Sequence, residues 1–449
     1  MKTTRYPGRY LVSTMLALMF ALTGPSCAPA AEIRVNAGFD NGAVSVSDPD
    51  ERFLEIEVVA PERGFLPVPR RRPRLNIALV VDKSGSMAEA RKIDFVREAA
   101  HRLVDQLQPG DRFALVTYDD QVDVPIPSEA FEDRRFAHRV IDGIRPGGAT
   151  NLGGGLAEGC RQVRRRYDPE GINRVLLLSD GLANRGATSP DELSRIAAAE
   201  SEGGLSVTTF GVGSEFNEDL LSGLAESGRG TYYYIDQAQR IPDMLAREFS
   251  TLQSIYASDV EITIEVHAEV VISEFLGYRF RRDGNRYVVN VGSLSAGERR
   301  RVMCRIAPPH WARGSHRIGQ VVVRYQLPGE KRPVSSSQEL HLNWLDDRKE
   351  VSREMNRDIS EHSAIFQANA ARQKAATLVD KGDVAGAKQV LSESKAKLEA
   401  APVQSEGVRR ELGENSVYDK ALSAPMSTEE QSSVQKDIKY RSYKTLQQK

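Results

Sequence analysis

The sequence predicts a doubly wound α/β domain with a mostly parallel sheet, joined to a β-sandwich and followed by a helical hairpin and a disordered tail. Two hydrophobic patterns support this fold class. In residues 75–254, short apolar runs alternate with amphipathic helical patterns, which is typical of βαβ units with helices on both faces of the sheet. On either side of that segment, apolar residues recur at every second position, which is typical of half-buried antiparallel strands.

The apolar runs in residues 75–254 are the candidate strands of the α/β domain. They lie at residues 75–81, 112–118, 174–178, 205–212 and 231–235. Helical patterns such as those at 92–107 and 136–144 separate them. Ligand sites of open α/β sheets lie outside the carboxyl ends of the strands, so the loops that follow these runs are the candidate functional loops.

The period-two segments predict one β-sandwich. Residues 255–345 contain strand patterns at 260–266, 286–291, 301–306, 318–325 and 339–344, separated by Gly and Pro. The N-terminal segment, residues 32–74, contributes a further strand in which Leu54, Ile56 and Val58 alternate with glutamates. We infer that strands before and after the α/β domain belong to the same sandwich, which makes residues 75–254 an insertion.

The C-terminal part of the chain divides into a helical and a polar segment. Residues 346–400 have helical periodicity, and the part at 375–391 is similar to one tetratricopeptide-like hairpin. A single hairpin of this kind cannot bury a core alone, so we expect it to pack on the body of the protein or on a partner. Residues 401–449 are rich in Ser, Gln and Lys and predict a mostly disordered tail.

The first residues have the pattern of a signal peptide, which we assign to residues 1–31. A basic start precedes an apolar run at 11–22, and small residues follow at 28–30. That run is shorter than the roughly 20 residues that span a bilayer. We therefore expect an exported protein, periplasmic or secreted, without a transmembrane segment in the mature chain. Lipid anchoring at Cys27 is the alternative.

Composition bears on partners and on redox chemistry. The formal net charge of −1 gives no electrostatic case for binding nucleic acid. Basic clusters such as 164–166 and 299–301 lack interleaved aromatic residues and are interpreted as solvated surface. After removal of the signal peptide, Cys160 and Cys304 remain, each on an apolar face, and we expect buried free thiols rather than a bridge.

Five oxygen-bearing side chains follow the predicted strands of the α/β domain. Asp82, Ser84 and Ser86 come directly after the first strand, Thr150 lies in a later Gly-rich loop, and Asp180 follows the third strand. Carboxylates and hydroxyls are ligands for a hard divalent cation such as Mg²⁺. Two carboxylates balance the charge of the ion, whereas neutral hydroxyls contact it without adding charge. The sequence therefore predicts a metal site with an open coordination position.

These residues resemble the metal-ion-dependent adhesion site of the von Willebrand factor type A domain, as found in integrin inserted domains. The Asp-x-Ser-x-Ser motif, the loop threonine and the aspartate of Ser179-Asp180-Gly181 are all present. The chain is also similar to exported bacterial members labelled calcium-activated-chloride-channel-like. The resemblance implies a sheet order of 3-2-1-4-5-6, bound Mg²⁺, Mn²⁺ or Ca²⁺, and a protein partner whose acidic side chain completes the coordination. It also implies that the last helix, residues 241–254, shifts when the partner binds.

Residues beside the metal ligands are candidates for the partner-binding rim. Asp119 and Asp120 follow the second strand, and Asn184 and Arg185 lie just beyond Asp180. The alternative interpretation is that they are ordinary turn residues. The sequence leaves both interpretations open.

An enzyme and a channel are the competing functional classes. The chain has no His-Glu-x-x-His, Gly-x-Ser-x-Gly or phosphate-loop motif, and no membrane-spanning pattern follows the signal peptide. The alternative to a binding module is a metal-dependent hydrolase or phosphoryl-transfer enzyme with Asp82 as nucleophile, although such a motif calls for an aspartate where Ser84 stands. We interpret the chain as a non-enzymatic adhesion or scaffold module that recognises a partner carboxylate through its metal.

Overall fold

The computed structural model describes residues 32–62, 72–330, 332–423 and 427–448. The predicted signal peptide, including Cys27, lies outside these residues. In chain order the strands are β1 (Arg34–Phe39), β2 (Ala43–Ser45), β3 (Arg52–Val59), β4 (Leu75–Asp82), β5 (Arg112–Tyr118), β6 (Val122–Ala130), β7 (Ile172–Ser179), β8 (Leu205–Val212), β9 (Arg229–Ile235), β10 (Ile255–Val266), β11 (Val271–Leu276), β12 (Phe280–Asp283), β13 (Arg286–Ser295), β14 (Arg299–Ala307), β15 (Gly314–Gln326) and β16 (Val334–Leu345).

Helices follow most strands of the α/β domain and form the C-terminal region. They are α1 (Lys92–Gln106), α2 (Arg134–Asp142), α3 (Leu152–Arg165), α4 (Pro190–Glu202), α5 (Glu218–Ser227), α6 (Ile241–Gln253), α7 (Arg348–Arg353), α8 (Arg357–Asp380), α9 (Val384–Glu399), α10 (Glu406–Ala421) and α11 (Thr428–Gln447). Short 3-10 helices at Gly85–Arg91 and Ala238–Arg240 lead into α1 and α6.

The sheet of the α/β domain has the strand order β6-β5-β4-β7-β8-β9. Counted from β4, this is the order 3-2-1-4-5-6 that the sequence resemblance implies. Every neighbouring pair is parallel except β5 and β6. Each residue of the central strand β4 is buried, because helices cover both faces. The predicted doubly wound fold is confirmed, and the carboxyl ends of β4, β5 and β7 lie side by side.

The β-sandwich is built from strands on both sides of the α/β domain. One sheet has the order β1-β3-β14-β11 and the other β12-β13-β10-β15-β16-β2. N-terminal β3 pairs with β14, and N-terminal β2 pairs with β16. The inner faces share one apolar core that includes Leu54, Ile264 and Trp344. The α/β domain is therefore an insertion between strands of a single sandwich, as the alternating patterns indicate.

The prediction of a disordered tail at 401–449 is wrong. Helices α10 and α11 occupy most of this segment, and α10 packs on α8 and α9. Helix α11 then passes from the helical region to the α/β domain and ends against the sandwich. Its Tyr443 hydroxyl accepts a hydrogen bond from the backbone N–H of Tyr232 at 3.1 Å, and the side chain of Leu446 is fully buried beside Leu276 and Met303.

Helix α11 is polar in composition, yet several of its polar side chains are buried and hydrogen-bonded. The Lys436 ammonium donates to the carbonyl of Phe216 at 2.7 Å, and the Gln447 amide donates to the carbonyl of Gly277 at 2.7 Å. Gln435 accepts a hydrogen bond from the Tyr418 hydroxyl at 2.9 Å. Each of these polar side chains is buried. A composition-based prediction of disorder assumes that polar residues stay in water, and here they do not.

Three other sequence expectations concern the cysteines, the arginine cluster and the membrane. Cys160 and Cys304 are buried free thiols, as expected. The interpretation of 299–301 as solvated surface is wrong for Arg300, which is buried and paired with Glu298. Among the helices of residues 32–62, 72–330, 332–423 and 427–448, none combines the length and the apolar character needed to cross a bilayer.

We predict that α11 contributes to the stability of the whole chain. Replacement of Leu446 by alanine should lower the free energy of unfolding by about 3 kcal/mol, because it opens a cavity between α11, α8 and the sandwich. Urea unfolding followed by circular dichroism measures this change. Val417→Ala on α10 is the control, since that side chain is 66% exposed. Equal stability of the two variants would show that α11 does not anchor the fold.

Candidate metal centre

Three loops meet at the carboxyl edge of the α/β sheet. The first begins at Asp82, the last residue of β4, and contains Ser84 and Ser86; the second precedes α3 and contains Thr150; the third follows β7 and begins with Asp180. Asp82 and Asp180 are fully buried, and Ser84 and Thr150 are nearly so. The structure therefore places all five sequence-predicted metal ligands at one edge.

Backbone hydrogen bonds hold the loops against one another. In the second loop, the N–H of Gly147 donates to the carbonyl of Lys83 at 2.7 Å, and the carbonyl of Gly148 accepts from the N–H of Gly85 at 3.1 Å. Thr150 is fixed to the third loop, since its N–H donates to Asn184 Oδ1 at 2.8 Å and its carbonyl accepts from the N–H of Asn184 at 3.2 Å. The threonine cannot leave the edge without breaking this pairing.

The ligand side chains form a connected chain of polar contacts. Asp82 Oδ1 accepts from the N–H of Ser84 at 2.9 Å, and the hydroxyls of Ser84 and Ser86 lie 3.3 Å apart. The Ser86 hydroxyl donates to Asp180 Oδ1 at 2.8 Å. A Cβ placed on Gly181 would lie 3.7 Å from Thr150 Oγ1 and 3.8 Å from Ser86 Oγ, so these two hydroxyls converge at that glycine. Hydroxyl oxygens of the first and second loops thus approach the start of the third loop.

Helix α3 brings Thr150 to the edge by close approach to the sheet. A Cβ at Gly155 would lie 2.5 Å from Tyr118 Cδ1, and one at Gly159 would lie 2.4 Å from Val80 Cγ2. Both distances are shorter than side-chain carbons tolerate, so only glycine permits this packing. The glycines of α3 therefore position the loop that precedes the helix.

Burial disfavours ionisation of the Asp82 carboxyl in the absence of a cation. Desolvation raises its pKa to about 6, and the nearby charge of Asp180 adds to the effect, whereas hydrogen bonds from Ser84 and Ser179 oppose it. The Ser179 hydroxyl donates to Asp82 Oδ2 at 2.8 Å. A carboxylate buried in this way gains from a nearby positive charge.

Lys92 supplies a positive charge at the site that the sequence analysis missed. Its ammonium lies 2.6 Å from Asp180 Oδ2 and 3.4 Å from the carbonyl of Ser86, and its side chain is 11% exposed. Lys92 is the first residue of α1, where a lysine in a polar sequence gives no sign of burial. Only the approach of α1 to the third loop reveals the contact.

The predicted rim residues lie at the same edge but act mainly on the loops. Asp119 pairs with Lys83, and Asp120 lies 3.5 Å from Arg185. The carbonyl of Asp119 accepts from the N–H of Asn151 at 2.9 Å, so the turn after β5 supports the second loop. Asn184 fixes Thr150. The side chain of Arg185 is 65% exposed.

A family model of the von Willebrand factor type A domain matches residues 76–247. These residues form a type A domain. Type A domains are generally non-enzymatic modules that mediate protein–protein interactions. The matched segment begins in β4 and ends in α6, so it contains all three loops of the candidate metal centre.

Two relatives match about half of the chain. The uncharacterized protein YfbK of Escherichia coli (strain K12) is 30% identical over 252 residues, which cover 55% of this chain and 43% of that protein. The human inter-alpha-trypsin inhibitor heavy chain H4 is 30% identical over 206 residues, which cover 44% of this chain and 21% of that protein. The chain thus spans less than half the length of either relative.

A solved structure has a similar fold over most of its length. A von Willebrand factor type A protein from Catenulispora acidiphila superposes with a TM-score of 0.69 at 17% identity, covering 88% of this chain and 90% of that chain. At this identity the likeness concerns the fold alone. Because it covers most of both chains, the likeness extends beyond the type A domain.

We predict that Lys92 stabilises the metal-free type A domain and opposes metal binding. Lys92→Met should lower the unfolding free energy by about 3 kcal/mol without metal, since it leaves a buried carboxylate unpaired. Added Mg²⁺ should stabilise this variant more than the wild type, because no ammonium repels the ion. Chemical unfolding with and without Mg²⁺ measures both effects. Lys397→Met, at an exposed position of α9, is the control, and an equal Mg²⁺ response in both variants would contradict the prediction.

We also predict that pH acts on the site through Asp82. Because the pKa of Asp82 is higher in the folded protein than in the unfolded chain, protonation of this group favours folding. This stabilisation of the metal-free protein is complete below about pH 4 and is lost as the pH rises through about 6. Asp82→Asn removes this dependence, so the variant should gain stability over the metal-free wild type by on the order of 3 kcal/mol between pH 4 and 7.

Metal binding should have the opposite pH dependence, because the ion requires the ionised carboxylate. The affinity of the wild type for Mg²⁺ should weaken about tenfold from pH 7 to pH 5. Calorimetric titration at the two pH values measures this change. A constant affinity would show that Asp82 does not titrate in this range.

Proposed function

We propose that this protein is an exported, non-enzymatic binding module that holds a divalent cation at the carboxyl edge of its type A domain and captures a carboxylate of a protein partner. The observation that carries the proposal is the convergence of Asp82, Ser84, Ser86, Thr150 and Asp180 from three loops. Export is supported by the signal-peptide pattern of residues 1–31.

The donor set fits a hard divalent cation. It offers carboxylate and hydroxyl oxygens and no sulfur or imidazole, which suits Mg²⁺, Mn²⁺ or Ca²⁺. Both oxygens of Asp180 accept hydrogen bonds, from Ser86 and Lys92, and both oxygens of Asp82 accept hydrogen bonds as well, but each carboxylate oxygen keeps a second lone pair. Asp82, Asp180 and the hydroxyls of Ser84, Ser86 and Thr150 are the groups that would hold the ion.

The charge balance favours a partner with an acidic side chain. With both aspartates ionised, their two negative charges and the positive charge of Lys92 leave one net negative charge. A bound divalent ion would reverse this to one net positive charge. The rim aspartates do not alter the balance, because Asp119 is paired with Lys83 and Asp120 lies beside Arg185. A carboxylate from outside is the group that this charge attracts.

The exposed rim offers a second kind of contact. Leu182, two residues after Asp180, is 56% exposed although it is a large apolar residue. Leu182 and Arg185 both lie in the third loop. A partner that presents an acidic residue next to an apolar one would match both features.

The geometry disfavours Asp82 as a nucleophile. Its side chain is fully buried, and each of its oxygens accepts a hydrogen bond, from Ser84 and from Ser179. A nucleophilic carboxylate must reach its substrate directly. A role as a fixed cation ligand agrees with this burial.

We predict that Thr150→Val weakens Mg²⁺ binding at least about tenfold, because valine keeps the shape but lacks the donor oxygen. Isothermal titration of the full chain with Mg²⁺, Mn²⁺ and Ca²⁺ measures the loss and identifies the preferred ion. Thr377→Val is the matched control, since Thr377 is exposed on α8. Unchanged metal uptake by the Thr150 variant would refute the assignment of the site.

Partner capture is tested separately. Wild-type protein and the Thr150→Val variant are immobilised and exposed to an envelope extract with Mg²⁺ or with a chelator. A partner retained only by the wild type and only with Mg²⁺ is expected, and free glutamate should displace it whereas glutamine should not. Displacement by both amino acids, or retention in chelator, would contradict recognition of a carboxylate through the metal.

A further inference from the structure

A pocket lies where the type A domain, the sandwich and α11 meet, and we call it the junction pocket. It has a volume of about 270 Å³ and is lined by five basic side chains: Arg174, Arg229, Arg247, Arg300 and Lys444. These come from β7, β9, α6, β14 and α11. The carboxylates among the lining residues are Glu248 and Glu298, so positive charge is in excess.

The carboxylates near the pocket are already engaged. Glu298 pairs with Arg300, and Arg229 lies 3.3 Å from Asp259. Glu248 accepts hydrogen bonds from the hydroxyls of Thr208 at 2.9 Å and Tyr233 at 2.8 Å. The carboxylates that line the pocket therefore do not neutralise all five of its basic side chains.

Two cations at the pocket lack a carboxylate partner. Within the described ranges, neither Arg247 nor Lys444 forms an ion pair, although Lys444 lies over the ring of Tyr440. Burial lowers the pKa of Lys444, and the positive charge of Arg247 lowers it further. A cleft lined by an excess of positive charge attracts anions.

Buried donors also remain unsatisfied. Arg174 and Arg300 are 4% and 2% exposed, and the Nε of each has no hydrogen-bond partner among the residues that the structure describes. An unsatisfied buried donor costs about 1–3 kcal/mol, and more when it is charged. A ligand with several acceptor oxygens would recover this energy. Guanidinium groups are particularly suited to phosphate, because their planar N–H forks match its oxygens.

From these observations we propose that the junction pocket binds a compact phosphate-bearing anion with two or more negative charges. The volume is about nine times the ~30 Å³ that one water occupies in the liquid, which suits a ligand of roughly ten non-hydrogen atoms, such as pyrophosphate or a small phosphomonoester. Arg174 lies near the start of β7, whereas Asp180 follows the end of that strand, so the pocket and the metal centre are roughly 20 Å apart. The proposal is therefore independent of the metal-dependent function.

The test is calorimetric titration of the metal-free full chain with pyrophosphate, together with thermal unfolding at matched ionic strength. Wild-type protein should bind pyrophosphate and unfold at a higher temperature in its presence. The double variant Arg247→Gln, Lys444→Gln should bind at least tenfold more weakly. Its control is Arg281→Gln, Lys397→Gln, which removes the same charge from exposed positions away from the pocket and should bind as the wild type does.

Three outcomes would overturn the proposal. The first is the absence of binding heat, which would mean that the pocket holds only water. The second is an equal loss of binding in both double variants, which would indicate an effect of total charge. The third is binding by the Arg247→Gln, Lys444→Gln variant as tight as that of the wild type, which would place the anion outside the junction pocket.

Discussion

The structure depends on holding two carboxylates out of water at the edge of a parallel sheet. Asp82 and Asp180 are fully buried, and a buried charge is tolerated only when other groups replace its hydration. Serine hydroxyls, a backbone N–H and the Lys92 ammonium do so in the metal-free protein. Burial raises the pKa of Asp82, so added positive charge at this edge would favour its ionised form. The cluster that affects the stability of the metal-free protein would therefore also affect the binding of a cation.

Much of this site is predictable because its signals are local. Asp82 and Asp180 directly follow apolar strands, and parallel strands bring their carboxyl ends to one edge, so their proximity follows from the fold class. The alternating pattern around Leu54 likewise predicts a sandwich strand, and its pairing with β14 completes the insertion. The contact of Lys92 with Asp180 is not predictable in this way, since it depends on how closely α1 approaches a loop 88 residues away.

The C-terminal region shows where composition fails as a guide. Segments poor in apolar residues are expected to stay solvated, yet α11 buries Gln435, Lys436 and Gln447 by giving each a hydrogen-bond partner in another part of the chain. Those partners lie as far as 220 residues away along the chain, so no window of sequence contains the information. Arg300, in a run of arginines, is likewise buried, and its charge is paired with Glu298.

The continuity of α6 with β10 has a mechanical consequence. Helix α6 ends at Gln253 and β10 begins at Ile255, so the chain passes from the type A domain into the central part of a sandwich sheet across one residue. Helix α11 forms a second tether, since Tyr443 contacts the type A domain and Gln447 contacts the sandwich. A force applied at the carboxyl edge of the type A domain would therefore reach the sandwich through both connections rather than through a single linker.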